Sequence, residues 1–161
     1  MSLQALSARL DNLESHIAIQ RLIAEYAHAF DRRDEALLRS IWHADAVLAL
    51  GAAFGHFVGV DAIVDSAHQN WAHMPHMHHW MANTLIELQG ETATAQAAVD
   101  CMVLHRELGQ VQISGHYHDR LERRGGRWAF VERRFDLHYL TPLPHWKPVA
   151  GSEAPADTAS A

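Results

Sequence analysis

From His78 onward the chain consists of four long alternating stretches separated by tight turns, and this limits the possible folds more than any other feature. The first runs from His78 to Leu88 and turns at Gln89-Gly90-Glu91. The second runs from Thr92 to Leu108 and turns at Gly109-Gln110. The third runs from Val111 to Arg123 and meets Arg124-Gly125-Gly126-Arg127, a strong hairpin signal. The fourth runs from Trp128 to Tyr139, before Thr141-Pro142-Leu143-Pro144 ends the series.

The chain before His78 reads differently. Ile17, Ile19, Leu22, Ile23, Tyr26, Ala27 and Phe30 recur at helical spacing, and Asp31-Arg32-Arg33-Asp34 closes that helix. Asp34 can cap a short second helix through Ile41 and Trp42. Ala46 to Leu50 and Phe54 to Val58 are short strands, and Asp61 to about Trp71 is a third helix. Helices first and an antiparallel meander afterwards predict an α+β fold. Bent strongly, such a sheet with helices across its mouth makes a cone-shaped barrel, whose interior suits a small apolar ligand.

Strand alternation predicts one face of the last strand to carry Trp128, Phe130, Glu132, Arg134 and Asp136, and the other Ala129, Val131, Arg133, Phe135 and Leu137. Both faces then hold bulky apolar groups. The outer one is expected to bury itself against another copy, as a dimer or trimer.

The 161 residues are 48% hydrophobic and 20% charged, enough for one domain over 1–145 with a real core. Residues 146–161 read as a flexible tail. A formal net charge of -6 argues against a nucleic-acid partner. Arg120, Arg123, Arg124 and Arg127 alternate with acids around the hairpin and read as a solvated strand end. The N-terminal stretch carries charges every few residues, so neither a secretory leader nor a membrane span is expected. Cys101 is the single cysteine, which excludes an intramolecular disulfide and suits a reducing, cytoplasmic setting.

Four residues are candidates for chemistry. Arg133 sits in a row expected to point inward, where a guanidinium needs a carboxylate, a carbonyl or a bound anion. The structural alternative is an ion pair with Asp31 or another acid. Asp31 ends the first helix, and alone it reads as a plain helix-end aspartate. Tyr26 lies about one and a half turns earlier and can equally be a core aromatic. His79 opens the first long strand and shares its side with Met81, Asn83 and Leu85. Beside an aspartate it would make a general base; alone it is a satisfied core histidine. Cys101, Val103, Ile113 and Tyr117 are expected to line the interior. A nucleophilic Cys101 is not expected, because apolar surroundings raise a thiol pKa.

Of the 14 histidines, four fall in one short run: His73, His76, His78 and His79. His76 and His78, or His73 and His76, could share a metal. No third ligand stands at a fixed spacing, and there is no CxxC. The simpler reading is a polar loop entering a strand, with only His79 inside and no metal bound. His105 and His138 remain open.

Several segments resemble one known family. They are the opening IAIQRLIAEYAHAFDRRDEALLRSIWHADAVL, the Ser40-Ile41-Trp42 triplet, the His79 strand, GGRWAF at Gly125–Phe130 and YLTPL at Tyr139–Leu143. The chain resembles SnoaL-like proteins of the nuclear transport factor two-like superfamily over about Ile17 to Pro142. The dehydrochlorinase and bile-acid dehydratase types are nearest, with scytalone dehydratase more distant. The resemblance implies an Asp–His dyad on Asp31 and His79, with Tyr26 and Arg133 beside it and Trp42 in the lining, where strand alternation also puts Phe135. It implies a cofactor-independent lyase or isomerase that removes a proton from a small, apolar, cyclic or aromatic molecule. The same superfamily also holds non-catalytic binders and oxygenase small subunits, so fold alone does not select the activity. A lysine found one turn before the aspartate in the dehydrochlorinases is Tyr26 in this chain.

Overall fold

The computed structural model describes residues 2–147; most of the predicted tail lies outside them. Three helices precede four long strands, as the pattern requires. They are α1 (Leu3–Arg32), α2 (Glu35–Ser40), β1 (Trp42–Ala49), β2 (His56–Val58), α3 (Val60–His73), β3 (His76–Gln89), β4 (Thr92–His105), β5 (Gly109–Arg124) and β6 (Arg127–Pro142). The strands form one six-stranded sheet in the order β2-β1-β6-β5-β4-β3. All neighbouring pairs are antiparallel except β1 with β6. The architecture is therefore α+β, with N-terminal helices packed on a mixed, mainly antiparallel sheet.

Local chemistry accounts for the element ends. Asp34 caps α2, its carboxylate accepting the Leu37 N–H at 2.9 Å. Gly125 and Gly126 both take positive φ in the β5–β6 turn, which a Cβ would disfavour. The first helix is longer than its buried periodicity suggests. Ser2 caps it by accepting the Ala5 N–H at 3.1 Å, yet its first buried residue is Ser15. Among the described residues, no helix is long and apolar enough to cross a membrane.

Bulges in the long strands correct the predicted faces. In β3 the register shifts between Ala82 and Leu85, where Asn83 adopts φ 53°. Met77, His79 and Met81 stay inward before it; Ile86 and Leu88 point inward after it, leaving Leu85 exposed. In β6 one extra residue is Val131, where Leu121 pairs with Phe130 but Arg120 with Glu132, and another is His138, where Ser114 pairs with Tyr139 but Gly115 with Leu137. Phe130 therefore faces inward together with Arg133, rather than opposite it. Trp128, Ala129 and Phe130 are all buried in the chain's own core, so the argument for a doubly apolar sheet face fails there. What remains exposed on β6 is its far end, including Leu137, Tyr139 and Leu140.

Candidate active site

The end of α1 is tied to the start of β3. Arg33 caps the helix in the left-handed region, and its Nη2 donates to the Pro75 carbonyl at 3.1 Å. Trp71 Nε1 of α3 donates to the Phe30 carbonyl at 2.9 Å. These bonds set Asp31 against β3. A carboxylate in the last turn of a helix opposes the helix dipole and needs compensation. His79 supplies it twice: its backbone N–H donates to Oδ2 at 3.0 Å, and its Nδ1 lies 2.6 Å from Oδ1. The pairing fixes Nδ1 as the protonated nitrogen and leaves Nε2 as the ring's other reactive atom.

Both partners are largely buried, with side-chain exposures of 8% for His79 and 16% for Asp31. Burial opposes the imidazolium, but Cys101 and Asp31 outweigh it and raise the His79 pKa to about 10. Cys101 stands directly across from His79 in the β3–β4 register. The thiol that looked inert in sequence is therefore a neighbour of the dyad.

The recess beside His79 is lined by Cys101, Val103, Ile113, Tyr117 and Phe135, the expected residues of β4, β5 and β6. Tyr26 reaches it from α1. The sequence reading missed Leu50, Phe54, Asn70, Met74 and Met77, which close the recess from the end of β1, from α3 and from the start of β3. Their signal was weak, because loop and helix-end residues show no periodicity.

Trp42 and Arg133 lie behind this wall rather than in it. Trp42 packs on Phe130 at 5.0 Å and edge-on to Tyr26 at 6.2 Å between ring centroids. Arg133 is fully buried and pairs with Asp119, its Nε and Nη2 donating at 2.8 and 2.7 Å. Its guanidinium carbon lies 4.2 Å from the Tyr26 centroid and 4.3 Å from that of Tyr117. Of the two structural options foreseen for Arg133, the partner is thus another acid and not Asp31. Burial disfavours the arginine's charge, yet Asp119 more than offsets this and its pKa is raised. Burial also raises the pKa of Tyr26, and that of Tyr117 well above its usual value, so both phenols stay protonated.

The histidine run disperses. His78 turns to the outer face against Trp80, with 4.3 Å between rings, while His73 stacks on His105. His105 also accepts the Glu107 and Leu108 N–H groups at 3.1 and 3.2 Å and so shapes the β4–β5 turn. His138 packs against His116, 4.8 Å between rings. Among the described residues, no group of three or more His, Cys, Asp or Glu side chains is placed to hold a metal ion.

The SnoaL-like domain profile matches residues 11–134. The chain belongs to the SnoaL-like family. Its fold is that of the nuclear transport factor two-like proteins. Gamma-hexachlorocyclohexane dehydrochlorinase of Sphingobium indicum is 30% identical over 139 residues, covering 83% of this SnoaL-like chain and 87% of that enzyme. The crystal structure of the type 2 hexachlorocyclohexane dehydrochlorinase superposes with a TM-score of 0.84 at 28% identity, covering 88% of this chain and 99% of that one. A candidate scytalone dehydratase from Novosphingobium aromaticivorans gives a TM-score of 0.75 at 20% identity over 89% of this chain and 98% of that one, a likeness of fold alone. The first two of these relatives are dehydrochlorinases.

Proposed function

We propose that the chain is a cofactor-independent lyase that eliminates a leaving group from a small, apolar, cyclic substrate held inside a cone formed by sheet and helices. The carrying observation is the 2.6 Å contact between His79 Nδ1 and Asp31, beside an apolar recess. Nε2 takes a proton from the carbon next to the one bearing the leaving group. The C–H electrons form the new double bond, and the leaving group departs with its own bonding pair. Asp31 holds the ring and stabilises the imidazolium. Tyr26, a neutral phenol in the lining, donates to the departing halide or oxygen. Arg133 acts through Tyr26 as a positioning residue, its cation seated behind the phenol. Cys101, Val103, Ile113, Tyr117 and Phe135 hold the apolar body of the substrate, with Trp42 supporting Tyr26. Isomerisation by the same proton abstraction is a close variant.

The relatives are named for hexachlorocyclohexane, which makes γ-hexachlorocyclohexane the first substrate to try. Chloride release and loss of the parent compound are followed with wild type, Asp31→Ala and His79→Ala. Turnover by wild type and its loss in both variants, with circular dichroism unchanged, supports the mechanism. Near wild-type turnover in either variant sinks it. A chain that releases bound cyclic halides and alcohols unchanged after long incubation is a binder instead.

A further inference from the structure

The recess beside His79 does not end at its own wall. A second, outer recess of about 350 Å³ adjoins it, bounded by Ala53, His73, His105, Leu108, Val111 and Leu140. Phe54, Asn70, Met74, Val103 and Ile113 line both, so the two meet along one neck. The inner recess holds about 70 Å³. Small-molecule sites usually enclose about 300–1,000 Å³, so the inner space alone falls short and the outer one supplies the rest. Leu108 and Leu140, 59% and 44% exposed, form its apolar rim.

Asn70 is the only amide in that neck, and its four companions there are apolar. It continues the inward row of α3, where Ile63, Ala67, Asn70 and Met74 follow one another at helical spacing. An apolar side chain is the ordinary occupant of such a row. An amide among apolar groups needs a hydrogen-bond partner. Among the described residues none bonds to the Asn70 side chain. Its backbone is engaged: the carbonyl accepts the Met74 N–H at 2.7 Å, which ends α3. The outer recess offers a second open donor. His105 Nδ1 accepts the Glu107 and Leu108 N–H groups at 3.1 and 3.2 Å, so in the neutral ring the proton sits on Nε2. The His73 ring stacks on it, 6.4 Å away and 12° from parallel.

We propose that the outer recess is a second subsite of the same active site, which takes an extension of the substrate carrying a carbonyl oxygen. The Asn70 amide and the His105 Nε2–H are its donors. The apolar ring of the substrate lies at His79, and the oxygen-bearing end lies beyond the neck. This rests on the proposed function for the place of the reacting ring. It makes Asn70 a specificity-determining residue that takes no part in the proton transfer. A compact halocarbon uses the inner recess alone and leaves both donors unanswered.

Calorimetric titration of the full chain tests this by binding alone. The probes are 4-phenylcyclohexanone, its oxygen-free counterpart phenylcyclohexane, and chlorocyclohexane as a compact guest. In wild type the ketone is expected to bind about 3- to 10-fold tighter than phenylcyclohexane, the gain of one hydrogen bond. Asn70→Leu, of similar size, is expected to abolish that advantage without weakening phenylcyclohexane. Ala53→Trp, at an exposed turn in the outer wall, is expected to weaken both elongated probes by about tenfold through exclusion and to leave chlorocyclohexane unchanged. An oxygen advantage that survives Asn70→Leu overturns the proposal. So does elongated binding indifferent to Ala53→Trp, equal weakening of chlorocyclohexane by that variant, or no saturable binding of the ketone to wild type. The expected binding pattern in a chain that eliminates nothing from any substrate counts against the lyase and leaves the subsite standing.

Discussion

Two acid–base pairs share the interior of this molecule, and their surroundings give them different capacities. Asp31 and His79 meet beside the recess, where the imidazole can reach a guest. Asp119 and Arg133 meet beneath Tyr26 and Tyr117, both side chains fully buried, outside the lining. The first pair joins an aspartate that opposes a helix dipole to a histidine whose pKa, raised to about 10, still lets it exchange a proton. The second joins an aspartate to a group that stays charged at any working pH. Proton transfer is open to the first alone. The second fixes the register of β5 on β6 and puts a cation behind two phenols.

The largest expected effect comes from breaking the first pair. His79→Ala is expected to lower turnover of an identified substrate by about 10²–10⁴-fold, the usual contribution of a general base. Urea denaturation above about pH 10, where the imidazolium no longer contributes, should show much less change, because the lost side chain faces a recess. Breaking the second pair should reverse that profile. Arg133→Met leaves Asp119 buried without its partner, at a cost of about 3–5 kcal/mol in stability. Adding Asp119→Leu should recover much of it, since a buried pair can often be replaced by packed apolar groups. Urea midpoints of the single and double variants check this. If Arg133→Met were as stable as wild type, the two pairs would not differ in kind.

Much of the frame was legible because local chemistry set it. Asp34 caps α2 as its position suggested, and Gly125-Gly126 turns β5 into β6. Asp31 and His79 came from a family pattern, and no spacing rule could have joined residues 48 positions apart. The Asp119–Arg133 pair stayed hidden for a geometric reason. Counting back from the 124–127 turn sets Arg133 opposite His118, and only the extra residue at Val131 moves it to Asp119. Valine gives no local sign of a bulge. Asn83 gave a faint one, because asparagine tolerates the left-handed region that the β3 bulge uses.

pH should separate the two pairs next. The folded pKa of His79 is raised from 6.5 to about 10, so its protonated form is favoured by folding. Its contribution to stability is complete below pH 6.5 and is lost as pH rises through about 10. Proton abstraction needs the neutral ring, so turnover should climb over that same interval. Activity and this part of stability thus move in opposite directions, and His79→Gln should flatten both. The Asp119–Arg133 pair contributes no such slope, because the arginine stays charged throughout.

The smallest effect tests why His79 is so basic. Cys101 faces it across the β3–β4 register and, after burial, is the first of the groups acting on the ring. Cys101→Ser keeps the size and the backbone register but removes the ionisable thiol. If Cys101 shares in holding the proton on His79, the rising limb of the pH–rate profile moves toward lower pH in this variant. If Asp31 alone sets the ring's basicity, the limb stays where it is in wild type. Titration of the His79 ring protons by NMR in both proteins gives the same comparison without a substrate, so it can be made before the leaving group is known.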